Sequence, residues 1–413
     1  MARWSSAGCG TLATQNQGPD LRQRYNLYRV PRHPPGTPLT MARCLLLAAL
    51  AALLISGAQA GCKLRRDPNL KPEDRFYNHV PLNSQLPLEA LPKNFDWNNK
   101  DGRSYLAPSW NQHIPQYCGS CWLHGTASML QDRLKITKDG AGPDAMLARQ
   151  VILNCAAFHG FGGGCDGGDV IDVLRYMAAY GLPDESCMPY AATDHTKYGK
   201  HAKACPAEGY CMNCMPIKGK DTCWAVKTPI RYYVESYGQI TEKGEAPIMN
   251  EVLARGPVVC SIATPTVFDY GYHAGIFHDK DNSTDVDHDI EIVGWGEEDG
   301  QKYWIVRNSW GTYFGNLGFF KLERGVNSLM IENGDCWYAT VSWQDEQDIR
   351  SGKKVGTMWG IMTKEEAARV KPEEGTKPHM KDRADEEEGD EEAPLRIKPF
   401  GGKGSAQSVL AAA

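Results

Sequence analysis

Eleven cysteines fall between residues 118 and 336 of this 413-residue chain, out of fourteen in all. That many thiols are rare where glutathione keeps cysteines reduced, so they point to an oxidising compartment and a fold pinned by disulfides. Ten of the eleven can form five pairs, which leaves one over. The string Cys118-Gly119-Ser120-Cys121-Trp122 singles out Cys121 as a candidate. The same string is a C-x-x-C, and on spacing alone a redox or metal pair of Cys118 and Cys121 reads as well as a catalytic thiol. Residues 123–134 carry Ala127, Leu130 and Leu134 at helical spacing, which predicts a helix. Cys121 then sits in its first turn, where unpaired backbone N–H groups favour an anionic sulfur.

The partners further along decide between these readings. His288 enters the alternating run Asp287-His288-Asp289-Ile290-Glu291-Ile292-Val293-Gly294, and Asn308 lies in Arg307-Asn308-Ser309-Trp310-Gly311. An imidazole can take the thiol proton and later protonate a leaving amine. An amide oxygen at Asn308 would accept from the histidine ring N–H and fix its tautomer, with Trp310 shielding that bond from water. Gln112, with the Cys121 backbone N–H, would donate to an oxyanion. Cys, His and Asn in this order, about 170 and 20 residues apart, resemble the papain-like cysteine proteases, peptidase family C1. Among the eleven histidines, His124, His159 and His195 read as ordinary packed or surface residues. The loop Gly163-Gly164-Cys165-Asp166-Gly167-Gly168 resembles the family's substrate-backbone loop, with Gly167 and Gly168 letting an extended peptide lie close. It also reads as a disulfide-pinned turn, and both can hold.

A helix-rich first half and a strand-rich second half predict an α+β fold of two subdomains with a cleft between them. The resemblance refines this to a papain-like fold: a helix-rich left subdomain, a β-barrel-like right subdomain and the active site between. It also implies the disulfides Cys118–Cys165, Cys155–Cys205, Cys187–Cys211, Cys214–Cys223 and Cys260–Cys336. The residues alone leave Cys155–Cys187 as a competitor, and a zinc site from Cys205, Cys211, Cys214 and Cys223 as an alternative. Helices are expected over 145–154 and 169–180, a loop over 195–224, and strands over 257–262, 289–294, 302–307 and 318–322.

Gln112 and Cys121 are nine residues apart. The surplus over the usual family spacing, His113-Ile114-Pro115, resembles an insertion carried by a lysosomal carboxypeptidase branch of the family. A small loop there would close one side of the cleft, and His113 would bind the free carboxylate of a substrate's last residue. The implied activity is removal of single C-terminal residues through a thioester acyl-enzyme, favoured at mildly acidic pH. An endopeptidase with the loop displaced, or a non-catalytic binding member, are the alternatives. Asp287 or Asp289 beside His288 is expected to raise the histidine pKa, with Glu291 adding further charge. The side-chain pocket beside the scissile bond would draw on Met188-Pro189-Tyr190 and Val258-Val259, with no preference readable.

The rest of the chain fits a secreted zymogen. Residues 1–40 read as a non-native extension, and 41–60 as a signal peptide with a short apolar run and Ala58-Gln59-Ala60 before the cut. Residues 61–90 form a short pro-segment, since Leu91-Pro92-Lys93-Asn94-Phe95-Asp96-Trp97 resembles a mature N-terminus. Its thiol, Cys62, reads either as incidental or as a disulfide cap on Cys121 that a reductant releases. The peptidase domain spans 91–343, and the charged 344–413 is expected to be disordered. Asn282-Ser283-Thr284 is a glycosylation sequon. A formal net charge of −5 with mixed signs argues against nucleic acid. No cofactor, metal or membrane span in the mature protein is expected. The expected partners are peptides and proteins with free C-termini and cysteine-protease inhibitors, with the chain acting as a monomer in the lysosome or outside the cell.

Overall fold

A computed structural model describes residues 64–198, 205, 210–217 and 219–370. Its helices are α1 (Cys121–Thr137), α2 (Arg149–Cys155), α3 (Val170–Tyr180), α4 (Glu245–Arg255), α5 (Thr266–Gly271), α6 (Gln344–Arg350) and α7 (Lys364–Arg369). The strands are β1 (Phe76–Tyr77), β2 (Phe95–Asp96), β3 (Met212–Ile217), β4 (Lys220–Ala225), β5 (Tyr233–Ile240), β6 (Val258–Ala263), β7 (Ile276–Phe277), β8 (Val286–Glu298), β9 (Gln301–Arg307), β10 (Phe319–Glu323), β11 (Cys336–Ser342), β12 (Lys354–Thr357) and β13 (Gly360–Thr363). Nine strands form one sheet in the order β1-β5-β11-β6-β8-β9-β10-β7, with β2 paired to β8. The path has two ends, so "β-barrel-like" describes it only loosely.

Two cores flank α1. One gathers Trp122, Leu130, Val151, Leu174 and Met177 from α1–α3 with Val234, Tyr237, Trp337 and Ala339 from β5 and β11. The other gathers Val258, Ile262, Ile290, Trp295, Trp304 and Phe320 with Ile248 and Val252 of α4. The sheet therefore serves both halves, since β5 and β11 back onto the helical core. β8 is buried continuously between β6 and β9 because Ile290, Ile292, Val293 and Trp295 join the second core while Asp289 and Glu291 are taken up by Ser261 and Arg307.

The seam between α1 and β8 carries charge. Arg307, at the end of β9, pairs with Asp132 of α1 at 3.0 Å and Glu291 of β8 at 3.2 Å, all three buried. Asp132 also accepts from the Ala107 N–H at 2.6 Å, and Arg307 donates to the Ala107 carbonyl at 3.0 Å. Burial and the neighbouring Asp132 push Glu291 well above the usual carboxylate range, while its two carboxylate partners hold Arg307 charged. Gly125 lets the two elements approach: a Cβ there would lie 3.1 Å from Val259 Cγ2 and 3.3 Å from the Asp289 carbonyl.

Five disulfides are formed among the described residues: Cys118–Cys165, Cys155–Cys205, Cys187–Cys211, Cys214–Cys223 and Cys260–Cys336. Cys155 is bonded to Cys205 and not to Cys187. The four thiols of the zinc alternative are all in disulfides.

Two expectations are corrected. Within the loop expected over 195–224, β3 and β4 form a hairpin across Cys214–Cys223. Pro216 lies within β3, which an isolated two-stranded ribbon with free edges tolerates. The tail expected to be disordered from 344 is ordered to residue 370 as α6, the β12–β13 hairpin and α7. Its charges are used in pairs, Lys138–Glu346 at 2.8 Å and Lys354–Asp345 at 3.1 Å, and Trp224 Nε1 donates to the Met358 carbonyl at 2.8 Å. The tail calls from 371 onward, and those on residues 1–63, lie outside the described residues.

The Arg307→Met variant leaves buried carboxylate without its cation and should lose about 3–5 kcal/mol of stability. Glu291→Gln, replacing a carboxyl already held toward its neutral form, should cost only about 1 kcal/mol. Chemical denaturation midpoints check both; equal losses would contradict this reading of the trio.

Candidate active site

Cys121 opens α1, and its N-cap, Ser120, makes no side-chain capping bond. The first-turn N–H groups therefore have no side chain competing for them, which suits a thiolate or an oxyanion. Cys121 and Gly125 lie one turn apart on the same helix face. Gly125 meets β8 at Asp289, so this face runs against β8 beside His288.

On β8, His288 pairs in register with Ile262 of β6 and is buried. Its Nε2–H donates to Asn308 Oδ1 at 2.8 Å. The Ser309 N–H donates to the same oxygen at 2.7 Å, which fixes how the amide faces and so which ring nitrogen holds the proton. The Trp310 ring covers His288 with centroids 4.9 Å apart. The other ring nitrogen is left to act as base toward Cys121.

Burial pushes the His288 imidazole down to about 4, the Asn308 bond opposing this and His113 adding to it. The expected upward shift from Asp287 or Asp289 is corrected. Burial raises Asp289 to about 7 and Asp287 to about 6, so neither is a strong anion beside the ring. Glu291, two residues on, serves Arg307 instead.

Gln112 is held from every side. Its backbone N–H donates to the Ser309 carbonyl at 2.8 Å, and Ser309 Oγ donates to Gln112 Oε1 at 2.6 Å. Tyr190 O–H donates to the Gln112 carbonyl at 2.6 Å and accepts from Ser120 Oγ at 2.9 Å. Gln112 Nε2 donates to the Cys118 carbonyl at 3.1 Å, which leaves its second hydrogen for an oxyanion. Tyr190, expected as a pocket wall, and Ser309, expected only as a neighbour of Asn308, both hold Gln112 in place, a role that depends on contacts with a distant residue.

The insertion starts at this same edge. Asn111 pairs with Trp310, its Oδ1 accepts from the His113 N–H at 2.9 Å, and its Nδ2 donates to Tyr313 O–H at 2.8 Å. The His113 ring stacks on Tyr117 at 4.8 Å, nearly parallel, while Ile114 and Tyr117 stay exposed. His113 Nδ1 is buried without a hydrogen-bond partner. Burial lowers the His113 pKa, opposed by a bond to the Cys118 backbone.

Residues 64 and 65, in the stretch expected to be a pro-segment, lie on the glycine loop. Leu64 bridges Gly168 in parallel, and the Arg65 N–H donates to the Gly168 carbonyl at 2.9 Å. Gly168 must lack a side chain, because a Cβ would come within 2.5 Å of the Trp122 ring. Further on, β1 pairs antiparallel with β5. The Cys121 sulfur is itself in a disulfide that is not among the five above. Cys62, its expected partner, lies outside the described residues. His124 is buried against Ser120, while His159 packs at a tilt against Tyr180 and His195 edge-to-face against Phe158, all as packed side chains. Among the described residues no group of three His, Cys, Asp or Glu could hold a metal ion, and no helix is long and apolar enough to cross a membrane.

Residues 91–340 match the papain family of cysteine proteases. This chain belongs to that family. It is 38% identical over 281 residues to cathepsin Z of Onchocerca volvulus, spanning 65% of this chain and 85% of that protein. It is 34% identical to cathepsin B-like cysteine proteinase 3 of Caenorhabditis elegans, spanning 52% of this chain and 57% of that one. A solved structure from a study of the mite allergens Blo t 1 and Der p 1 aligns at 28% identity over 62% of this chain and 74% of that one, with a TM-score of 0.48. As a papain-family protease the chain is a hydrolase acting through a cysteine.

Ser309→Ala should free the Gln112 amide and lower kcat on peptides about tenfold, part of the loss expected from removing an oxyanion donor outright. Steady-state kinetics on the processed enzyme check this. An unchanged kcat would contradict the positioning role.

Proposed function

We propose that this papain-family protease is a cysteine carboxypeptidase that removes single residues from the C-termini of peptides and proteins. The observation that carries the reading is the His113 ring: a buried imidazole nitrogen without a partner, in the insertion between the oxyanion glutamine and the nucleophile. Its charge is felt at His288, so the two rings share one electrostatic neighbourhood. The similarity to cathepsin Z supports the same reading.

The chemistry follows from the site. A thiol reductant opens the Cys121 disulfide, and removal of 61–90 clears the glycine loop. The Cys121 proton passes to His288, and the thiolate attacks the last peptide carbonyl while Gln112 and the Cys121 N–H stabilise the oxyanion. The His288 imidazolium protonates the departing amine. Water then attacks the thioester, giving its proton back through His288, and the shortened peptide leaves with a new carboxylate. His113 holds the carboxylate of the leaving residue, so one residue fits beyond the scissile bond. Five disulfides and an exposed Asn282 sequon support passage through the secretory pathway to the lysosome or the exterior.

Because burial lowers its pKa, the empty-site imidazole of His113 is protonated only below the ordinary histidine range, and a bound carboxylate raises it. KM for single-residue removal should therefore fall as pH drops between about 7 and 4. The deciding comparison is one peptide with a free and with an amidated C-terminus. The free form should be trimmed at least tenfold faster, and His113→Ala should abolish that difference. Equal cleavage of both forms by the unaltered enzyme would identify an endopeptidase. Failure of an epoxide thiol inhibitor to label Cys121 in the reduced, processed chain would identify a non-catalytic member.

A further inference from the structure

A relay of hydrogen bonds runs from the interior of α1 to the backbone of Gln112, and its direction follows from groups that can only accept. The Gln112 carbonyl has no hydrogen, so the Tyr190 O–H donates to it at 2.6 Å. The Tyr190 oxygen then accepts from the Ser120 hydroxyl at 2.9 Å. With its own hydrogen committed, Ser120 Oγ accepts from His124 Nδ1 at 3.1 Å. The Ser120 carbonyl, 3.0 Å from the same nitrogen, independently requires a hydrogen there. His124 is therefore the Nδ1–H tautomer and the first donor of the relay.

Packing alone does not account for a histidine at this place. Its other nitrogen, Nε2, is left a bare acceptor, buried without a hydrogen-bond partner. An apolar side chain would fill the space without that cost. Burial, with Arg149 and His113 adding to it and Ser120 opposing, holds the imidazole well below the ordinary histidine range. The ring thus stays neutral, with one N–H for Ser120. It also meets the Tyr190 ring edge-to-face, centroids 4.8 Å apart at 81°, so it steadies Tyr190 by contact as well as through the hydroxyls. At the far end, Tyr190 fixes the Gln112 carbonyl while the Ser309 carbonyl fixes the Gln112 N–H. The glutamine side chain is then carried on a backbone held from both sides.

We propose that His124 is a positioning residue for hydrolysis: through Ser120 and Tyr190 it fixes the backbone of Gln112, and so the place from which that glutamine stabilises the oxyanion. It acts without touching substrate or the reacting atoms. This rests on the protease reading and is independent of whether the enzyme trims chain ends or cuts internally.

The test compares turnover with sulfur reactivity in the reduced, processed enzyme, with active sites counted by an epoxide thiol inhibitor so that misfolded protein drops out. His124→Leu and Tyr190→Phe should each lower kcat about tenfold, part of what losing an oxyanion donor costs, with KM little changed. Alkylation of Cys121 by iodoacetamide forms no oxyanion, so its rate should hold in both variants. His124→Asn, whose amide N–H stands as far from the backbone as Nδ1 does, should recover most of the lost kcat. Tyr190→Phe added to His124→Leu should lower kcat no further, because both cut the same relay. Peptides with free and with amidated C-termini should lose alike; which of them the unaltered enzyme prefers bears only on the carboxypeptidase reading. An unchanged kcat in Tyr190→Phe, which keeps the ring, would overturn the proposal. So would losses that add in the double variant, alkylation falling in step with kcat, or a loss confined to the free C-terminus.

Discussion

The close seating of α1 on β8 is the constraint from which the rest follows. It brings the front of the chain, with Cys121, against the rear, with His288 and Asn308. It depends on Gly125, whose missing side chain allows the approach, and on Arg307, which ties Asp132 of α1 to Glu291 of β8 beneath the site. A buried ion trio is weak evidence for stability in itself. Its value here is geometric, because one guanidinium reaches a carboxyl on the helix and another on the strand. The catalytic machinery then lies one turn and one strand residue away from that fixed point.

The form described is a restrained one, and its electrostatics are consistent with restraint. With the Cys121 sulfur in a disulfide, His288 has no thiolate to favour its charged form, and burial, with His113 adding to it, holds the ring neutral. The backbone at Arg65 occupies the glycine loop, and the Arg66 guanidinium is bonded to Ser261 beside it. Reducing the sulfur and removing residues 61–90 would reverse both conditions, leaving an anion beside the imidazole and a cleared glycine loop.

The residues of the candidate site stand out in sequence because each needs a particular chemistry in a particular string: a thiol at a helix start, a histidine entering a strand, an asparagine before Ser-Trp-Gly; the structure places the thiol at the start of α1 and the histidine on the asparagine amide. The long helix and the central strands were legible from periodicity. What was not legible depends on contacts between distant residues. Asp289 beside His288 reads in sequence as a charge that should raise the histidine pKa, yet the fold turns it toward Ser261 and Arg66. Glu291 reads likewise as local charge and is spent on Arg307. The stretch 344–370 looked solvated because its charged residues could not be matched in one dimension to Lys138, nor Met358 to Trp224. The hairpin over 212–225 was hidden by closely spaced cysteines whose pairing their spacing does not determine.

The central claim is that Cys121 and His288 form one acid–base unit once the sulfur is free. The most direct measurement is the alkylation rate of Cys121 against pH in the reduced, processed enzyme and in its His288→Ala variant. The account predicts reactivity persisting well below the ordinary thiol range in the unaltered enzyme, and an inflection returning toward about 8.5 when the imidazole is removed. A single inflection near the ordinary thiol value in both proteins would contradict it.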